Sequence, residues 1–384
     1  MLDQAFTWFI VTYQEEFRQG KLAAFETLLF LSVAHLFGFY TPKALADYLQ
    51  IAHQQLYEHL RGFSLYSLQE MLLRFQVKQA VERLRPILEK SDATQSRAGI
   101  SLAVDDSVID RVGRLLRCVY RWYSGRWKQI VQGQDLLGIV LTIEGVAFPL
   151  SLRYCAKQGR ANTDKPSLLI AMLTRLKAEF EQQGIDLTAF PITLDSWYVS
   201  QGLGEALSLL GFRKILLAGK GSYIFTIGQK KQAASAWKKD LNLAPSQWGI
   251  DVPALRVEAQ SPTFGKRVLF FFQKSTTRSY YLLDFSSPHL RGAEIWHIWK
   301  QHHTVEVFWK ILKSIFKIKA MQLPGDGLYT GLLIKVLAYL LAVQIKTQRA
   351  FSKFSLVQLM RKIQREEDLK TLWTEHFHLH IPAT

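Results

Sequence analysis

Four carboxylates, Asp105, Asp106, Asp195 and Glu306, have the type and placing that phosphodiester chemistry requires. Such chemistry uses two divalent cations, roughly 4 Å apart, to activate the attacking oxygen and stabilise the leaving one. Mg²⁺ and Mn²⁺ take hard oxygen ligands, so the protein must supply carboxylates. Those carboxylates must converge from rigid elements. Asp105 and Asp106 follow the apolar run Ile100 to Val104, and Asp195 follows the run Phe190 to Leu194. Each run reads as a short buried strand. If the two strands lie side by side and parallel, Asp105 and Asp195 meet. A lone strand-end Asp is commonly a turn or helix cap. Two at matched strand ends are harder to assign to caps alone.

Glu306 lies in a segment of strong helical period from Gly292 to about 320. Trp299, His302, Glu306 and Lys313 are separated by 3, 4 and 7 residues, which stacks them along one side of a helix. The neighbouring stripe Val305, Phe308, Leu312 and Ile315 is apolar and is expected to bury against a sheet. Glu306 would then sit at the edge of the buried face, within reach of the two Asp residues. Lys313, two turns further on, is placed to hold a phosphate as a point charge.

The elements around these residues change character along the chain. Residues 1–95 read as helical, with Thr41-Pro42 as cap and first residue of a helix. Residues 41–60 predict a helix-turn-helix, or failing that a plain helical hairpin. Its second helix presents His53, Gln54, Gln55, Tyr57 and Glu58, and Gln is suited to adenine edges. Gln50 occupies the turn position where Gly is common. The polar stretch 91–99 reads as a linker. Residues 96–218 predict three strands, a helix, a strand, a helix and a strand. Residues 219–290 are rich in β-formers and read as a β-strand insertion. Residues 291–350 return to helix, and 351–384 form a charged helical tail. The expected class is α/β, with a mixed sheet flanked by helices.

The chain has 384 residues and a formal net charge of +16, which points to a polyanionic partner such as nucleic acid. Residues 111–128 concentrate this charge in Arg111, Arg114, Arg117, Arg121, Arg126 and Lys128. Tyr120, Trp122, Tyr123 and Trp127 are interleaved. Such a stretch neutralises phosphates and stacks on bases, or else forms a solvated helix or hairpin. The two cysteines support neither a disulfide framework nor a Cys-rich zinc site. His297, His302 and His303 lack zinc spacing. No Gly-rich nucleotide loop and no serine-nucleophile motif occurs. The run 331–345 is short for a membrane span and contains Lys335, so a buried helix of a soluble, cytoplasmic protein is expected. The first residues lack the pattern of a secretory signal.

The pattern Trp299-x2-His302-x3-Glu306-x6-Lys313 resembles the Tyr-x2-Arg-x3-Glu-x6-Lys signature of bacterial insertion-sequence transposases of the DDE type. That branch has an RNase H-like catalytic domain with a β-strand insertion before the Glu. The resemblance extends to the residues around Asp105, the stretch from Gly133 to Tyr154, and Leu194 to Tyr198. The spacings agree, with 90 residues from Asp105 to Asp195 and 111 from there to Glu306. It covers roughly residues 100–345.

The resemblance implies that Asp105, Asp195 and Glu306 hold Mg²⁺ or Mn²⁺ and carry catalysis, with Asp106 in reserve. It implies that Lys313 contacts a transposon-end phosphate. Trp299, His302, Lys310, Arg114, Arg117, Arg121, Arg126, Gln54 and Gln55 are the further residues expected at DNA. Trp299 replaces Tyr, and His302 replaces Arg with the loss of a bidentate phosphate grip. Trp237 and Trp248 in the β-insertion would wedge into a distorted DNA end or, more simply, pack a core. The implied activity is cleavage at terminal inverted repeats followed by strand transfer into target DNA, by a homodimer and without a nucleotide cofactor. The alternatives are an inactive or repurposed transposase that only binds DNA, and a structure-specific nuclease of the same fold.

Overall fold

The computed structural model describes residues 22–61, 65–90, 99–113, 116–157, 163–241, 248–275, 278–320, 327–348 and 351–376, with a few isolated positions between and before them. The chain is α/β, with a large mixed sheet of 11 strands flanked by helices. The helices are α1 (Leu22–Leu36), α2 (Pro42–Leu49), α3 (His53–Arg61), α4 (Leu65–Leu88), α5 (Lys165–Gln182), α6 (Gln201–Leu209), α7 (Ala234–Asp240), α8 (Gly292–Ser314), α9 (Gly327–Thr347), α10 (Leu356–Glu366) and α11 (Leu369–His376). The strands are β1 (Ile100–Asp110), β2 (Tyr120–Ser124), β3 (Gln129–Ile143), β4 (Val146–Tyr154), β5 (Ile192–Leu194), β6 (Ile215–Ala218), β7 (Ile224–Ile227), β8 (Lys230–Ala233), β9 (Ala254–Ser261), β10 (Gly265–Ser275) and β11 (Arg278–Asp284). The strand order is β2-β3-β1-β5-β6-β11-β10-β9-β7-β8, with β4 pairing β3. The chain divides into two compact units, residues 1–78, 108–136 and 307–384 in one, and residues 79–107 and 137–306 in the other.

The second unit contains all four carboxylates. Its centre is three parallel strands, in which β5 pairs with β1 on one side and with β6 on the other. Ile192, Thr193 and Leu194 are all buried, as expected of a strand covered on both faces. β11 then pairs antiparallel with β6, and β10, β9, β7 and β8 follow. The β-rich stretch is therefore not a separate sheet, because Leu282–Asp284 hydrogen-bond alongside Ala218–Leu216 and continue the central one. Its strands alternate between two apolar faces. Phe270 and Phe272 join Ile295, Trp296 and Ile298 of α8 in one cluster. Phe271 stacks on Tyr281 at 5.4 Å, facing away from it. Helix α7 also lies within this stretch, which was read as rich in strands.

The first unit joins segments that the sequence suggested were separate. Gln364 of α10 donates to the Leu36 carbonyl at 2.8 Å, and Lys335 of α9 reaches His35 of α1 at 3.0 Å. The N-terminal helices and the C-terminal tail thus share one core, because the largely apolar α1 buries its residues among those of α9. Helix α9 is 21 residues long and apolar enough by composition to cross a membrane, yet 94% of its most apolar window is buried within the protein. The linker expected at 91–99 lies, apart from Gly99, outside the described residues.

The segment 41–60 does form two short helices. Thr41 Oγ1 accepts from the Ala44 amide at 3.1 Å, and Pro42 takes the first helical position. Gln50 closes α2 in the left-handed region at φ 60°, the conformation a Gly would adopt without strain. Leu45, Ala46, Leu56 and Leu60 are buried. His53, Gln54 and Glu58 are exposed, and Gln55 is half-buried.

Candidate active site

The site is assembled by the register of three strands. Leu102, Ala103 and Val104 of β1 pair with Ile192, Thr193 and Leu194 of β5, and β5 pairs in the same direction with Ile215, Leu216 and Leu217. Asp105 and Asp195 are each the next residue after the last registered pair. Two parallel strands in this register carry both carboxylates to one end of the sheet. The carboxyl end of parallel strands is where open α/β sheets bind ligands. The expected strand ended at Val104, but β1 continues to Asp110. Asp105 and Asp106 are therefore held by strand backbone and not by a loop.

The two neighbouring carboxylates are separated by their partners. Asp106 accepts from the Lys165 ammonium at 2.9 Å and from the Tyr198 hydroxyl at 2.5 Å. Both of its oxygens are engaged. Asp105 accepts only from the Asp106 amide, at 2.8 Å, and Asp195 only from the Ser196 amide, at 2.6 Å. No Lys or Arg pairs with Asp105 or Asp195 among the described residues. Asp106 thus belongs to the scaffold, and Asp105 is the carboxylate available to a ligand.

Electrostatics define the cluster. Burial pushes the Asp105 carboxyl well above the usual carboxylate range, and the charges of Asp106, Asp195 and Glu306 push it further in the same direction. The Asp106 amide opposes this shift. All three other carboxylates therefore bear on Asp105, and Glu306 is the weakest of them. Glu306 is exposed and pairs with His303 Nδ1 at 2.8 Å. His303 is a partner the sequence reading did not identify. Its i,i+3 spacing before Glu306 was the available signal.

Asp105 and Asp195, without a Lys or Arg partner among the described residues, offer oxygen atoms of the kind a hard divalent cation takes as ligands. Among the described residues, no three His, Cys, Asp or Glu side chains are already gathered closely enough to hold a metal ion.

His302 requires a correction. It was expected at the DNA surface in place of an Arg, but it is 5% exposed and faces inward. Its Nδ1 lies 2.9 Å from Thr193 Oγ1, and that hydroxyl donates to the Leu102 carbonyl at 3.0 Å. The Thr193 hydroxyl proton is thus used, so His302 Nδ1–H is the donor and Thr193 the acceptor. Burial pushes the imidazole down to about 4, so it is neutral near pH 7. Trp299 stacks on it, with ring centroids 4.5 Å apart and planes 6° from parallel. Trp299 is half-buried, so this pair packs α8 on the sheet and leaves little of either ring for DNA.

This contact ties α8, β5 and β1 together beside the carboxylates. Thr193 is two residues before Asp195, and His302 is one helical turn before Glu306. Thr193→Val, which keeps the shape and removes the hydroxyl, is expected to cost about 1 kcal/mol of stability. Denaturant melts check this, and an unchanged stability would show that the hydroxyl contributes nothing to holding α8 on the strands.

The other expected DNA residues are dispersed. Lys310 is exposed and Lys313 half-buried, further along α8. Of the basic stretch, Arg117, Arg121 and Arg126 are exposed, and Arg126 lies over Trp127 at 4.7 Å. The stretch is a β-hairpin, with Tyr120–Ser124 paired to Gln129–Gly133. Arg111 is buried, donating to Gln134 at 3.2 Å and to the Ile318 carbonyl. Arg114 lies outside the described residues. The two insertion tryptophans are packing residues and not wedges. Trp237 is buried and donates to the Phe225 carbonyl at 3.0 Å, and Trp248 is half-buried against the α8 cluster.

No protein-family model and no curated protein matches the chain. The assignment below therefore rests on the residues and their arrangement.

Proposed function

We propose that this chain is a metal-dependent DNA transposase of the DDE type with an RNase H-like core, catalysing cleavage at element ends and strand transfer. The observation that carries the reading is the register of β1 on β5, which sets Asp105 beside Asp195 at the carboxyl end of parallel strands. The resemblance of the α8 residues to the transposase signature supports it. Mg²⁺ or Mn²⁺ held by Asp105, Asp195 and Glu306 would supply activation of the attacking oxygen and stabilisation of the leaving one. Asp106 anchors the site through Lys165 and Tyr198. Thr193 and His302 hold α8 against the strands. Helix α3, with Gln54 and Gln55, and the exposed arginines of the β2–β3 hairpin supply DNA contacts, and Lys310 and Lys313 supply phosphate contacts. The partners are terminal inverted repeats and target DNA, the assembly on DNA is a homodimer, and the setting is the bacterial cytoplasm.

The test uses DNA carrying both ends of the element that encodes this chain. Strand breaks are mapped with Mg²⁺ or Mn²⁺ for the protein and for Asp105→Ala, Asp195→Ala and Glu306→Ala. Metal-dependent cuts at the element boundary, lost in all three variants, are the expected result. Cutting that survives the three substitutions would refute the site.

A second reading has one observation in its favour. The carboxylates are not gathered into a closed set of three, and Glu306 is turned to His303. A repurposed transposase that binds DNA without cleaving it would bind the ends and cut in neither metal.

A further inference from the structure

Trp197 is the most exposed of the large aromatic side chains among the described residues, at 67%. It is two residues past Asp195, in a 3-10 turn from Ser196 to Tyr198. Its neighbours on both sides are held in place. Asp195 caps the turn through the Ser196 amide, and Tyr198 is buried with its hydroxyl on Asp106. The turn is thus pinned at both ends and turns Trp197 to solvent. A tryptophan left in water forgoes the favourable burial of about 150–250 Å² of surface.

The adjacent strand supplies a cation. β6 is parallel to β5 and in register with it, Leu217 beside Leu194, and it ends at Ala218. Lys220 follows two residues later at the same end of the sheet. Its ammonium lies over the Trp197 ring, 5.8 Å from the centroid. No carboxylate pairs with it among the described residues. Its backbone is held firmly, because the Tyr281 hydroxyl donates to the Lys220 carbonyl at 2.6 Å and the Gly219 amide to the Tyr281 carbonyl at 3.0 Å. Gly219 permits this approach, since a Cβ there would stand 2.0 Å from the Tyr281 ring. An exposed aromatic face with a cation beside it suits a flat, π-faced group attached to an anion.

We propose that Trp197 and Lys220 form a subsite for one unpaired nucleotide of the DNA strand being processed, the base stacking on the indole and the adjoining phosphate meeting the ammonium. The subsite rests on the transposase reading, because it deepens the DNA-end chemistry assigned to the same end of the sheet. It selects strands that are frayed or single near the reacting phosphate, without regard to base identity.

The experiment uses the full chain and two probes, a short single-stranded oligonucleotide with one internal 2-aminopurine and the same sequence as a blunt duplex. Wild-type protein is expected to bind the single strand and to quench the 2-aminopurine by stacking. Trp197→Ala is expected to lose about tenfold or more in single-strand affinity, together with the quenching, and to bind the duplex as before. Trp197→Phe is expected to retain part of both. Lys220→Gln is expected to lower the salt dependence of single-strand binding by about one released ion. Equal binding and quenching by wild type and Trp197→Ala, with DNA still bound, overturns the subsite and leaves the function standing. Failure of the wild type to bind either probe overturns the function and the subsite together. Because Trp197 is exposed, its replacement leaves the core intact, and circular dichroism verifies the fold.

Discussion

Under the proposed function, Asp105→Asn is expected to stabilise the protein while abolishing cleavage. Burial and three neighbouring negative charges hold the Asp105 carboxyl well above its usual range. For a group whose folded value is raised, stability is fully present below the unfolded value and is lost as pH rises through the folded one. Near neutral pH Asp105 therefore works against folding. Asparagine keeps the shape, still accepts from the Asp106 amide and removes the charge. The gain is expected to be about 1–3 kcal/mol, seen as a rise of several degrees in the thermal midpoint in chelator.

Mg²⁺ or Mn²⁺ adds the second half of the result. Under the proposed function, cation binding to the native state is expected to raise the wild-type midpoint through mass action. Asp105→Asn is expected to lose most of that rise and to cut at least about a hundredfold more slowly. A lower midpoint for the variant in chelator would show that Asp105 is a structural residue. An equal metal-induced rise in both proteins would place the cation elsewhere.

The second large effect is on the pH dependence of stability. Lys335 is fully buried in α9, and its ammonium contacts His35 Nε2 and the Phe316 carbonyl. His35 Nδ1 is 2.6 Å from the Leu31 carbonyl, so it carries the ring proton and Nε2 accepts from Lys335. Burial, with a smaller contribution from Arg111, pushes the lysine down to about 7. Burial and the Lys335 charge hold His35 well below the usual histidine value.

Between pH 7 and the unfolded lysine value of about 10.4, the unfolded chain binds a proton that the folded one does not. Stability therefore rises with pH across that window, by up to about 1.4 kcal/mol per unit from this group. His35 has the same sign at lower pH, since the unfolded histidine gains a proton below about 6.5 that the folded one refuses. Urea melts at pH 7, 8 and 9 are expected to show the rise, and Lys335→Met to flatten it. The variant leaves two acceptors without a donor, so its stability at pH 9 is expected to match or fall below wild type. An identical slope in both proteins would show that Lys335 stays charged in the fold.

Local pattern carries local structure, and several elements were legible for that reason. Thr41-Pro42 declared a capped helix start, because a hydroxyl that accepts from the amide three residues on and a ring with fixed φ suit nothing else as well. The apolar runs before Asp105 and Asp195 declared buried strands. The helical steps from Trp299 to Lys313 declared one helix face. The partners of each carboxylate were not legible. Lys165 and Tyr198 lie 59 and 92 residues from Asp106, and no local period reports contacts at that range. The resemblance ranked Asp105 above Asp106, but the local pattern did not report what either carboxylate touches.

The inward turn of His302 was hidden for a related reason. Polar type suggests the surface, but the Thr193 hydroxyl satisfies the imidazole inside. In the β-strand insertion, strand pattern states that a strand exists and not which strand it joins, so the pairing of Leu282–Asp284 with Ala218–Leu216 was not legible. The sequence by itself determined a basic α/β chain with strands, helices and four acidic residues at useful places. Only the tertiary structure decided that β1 and β5 run parallel in a register that aligns Asp105 with Asp195, that Asp106 is scaffold, and that Lys335 is buried. Strand register and burial are set by the packing of residues distant along the chain, and that packing is a property of the whole fold.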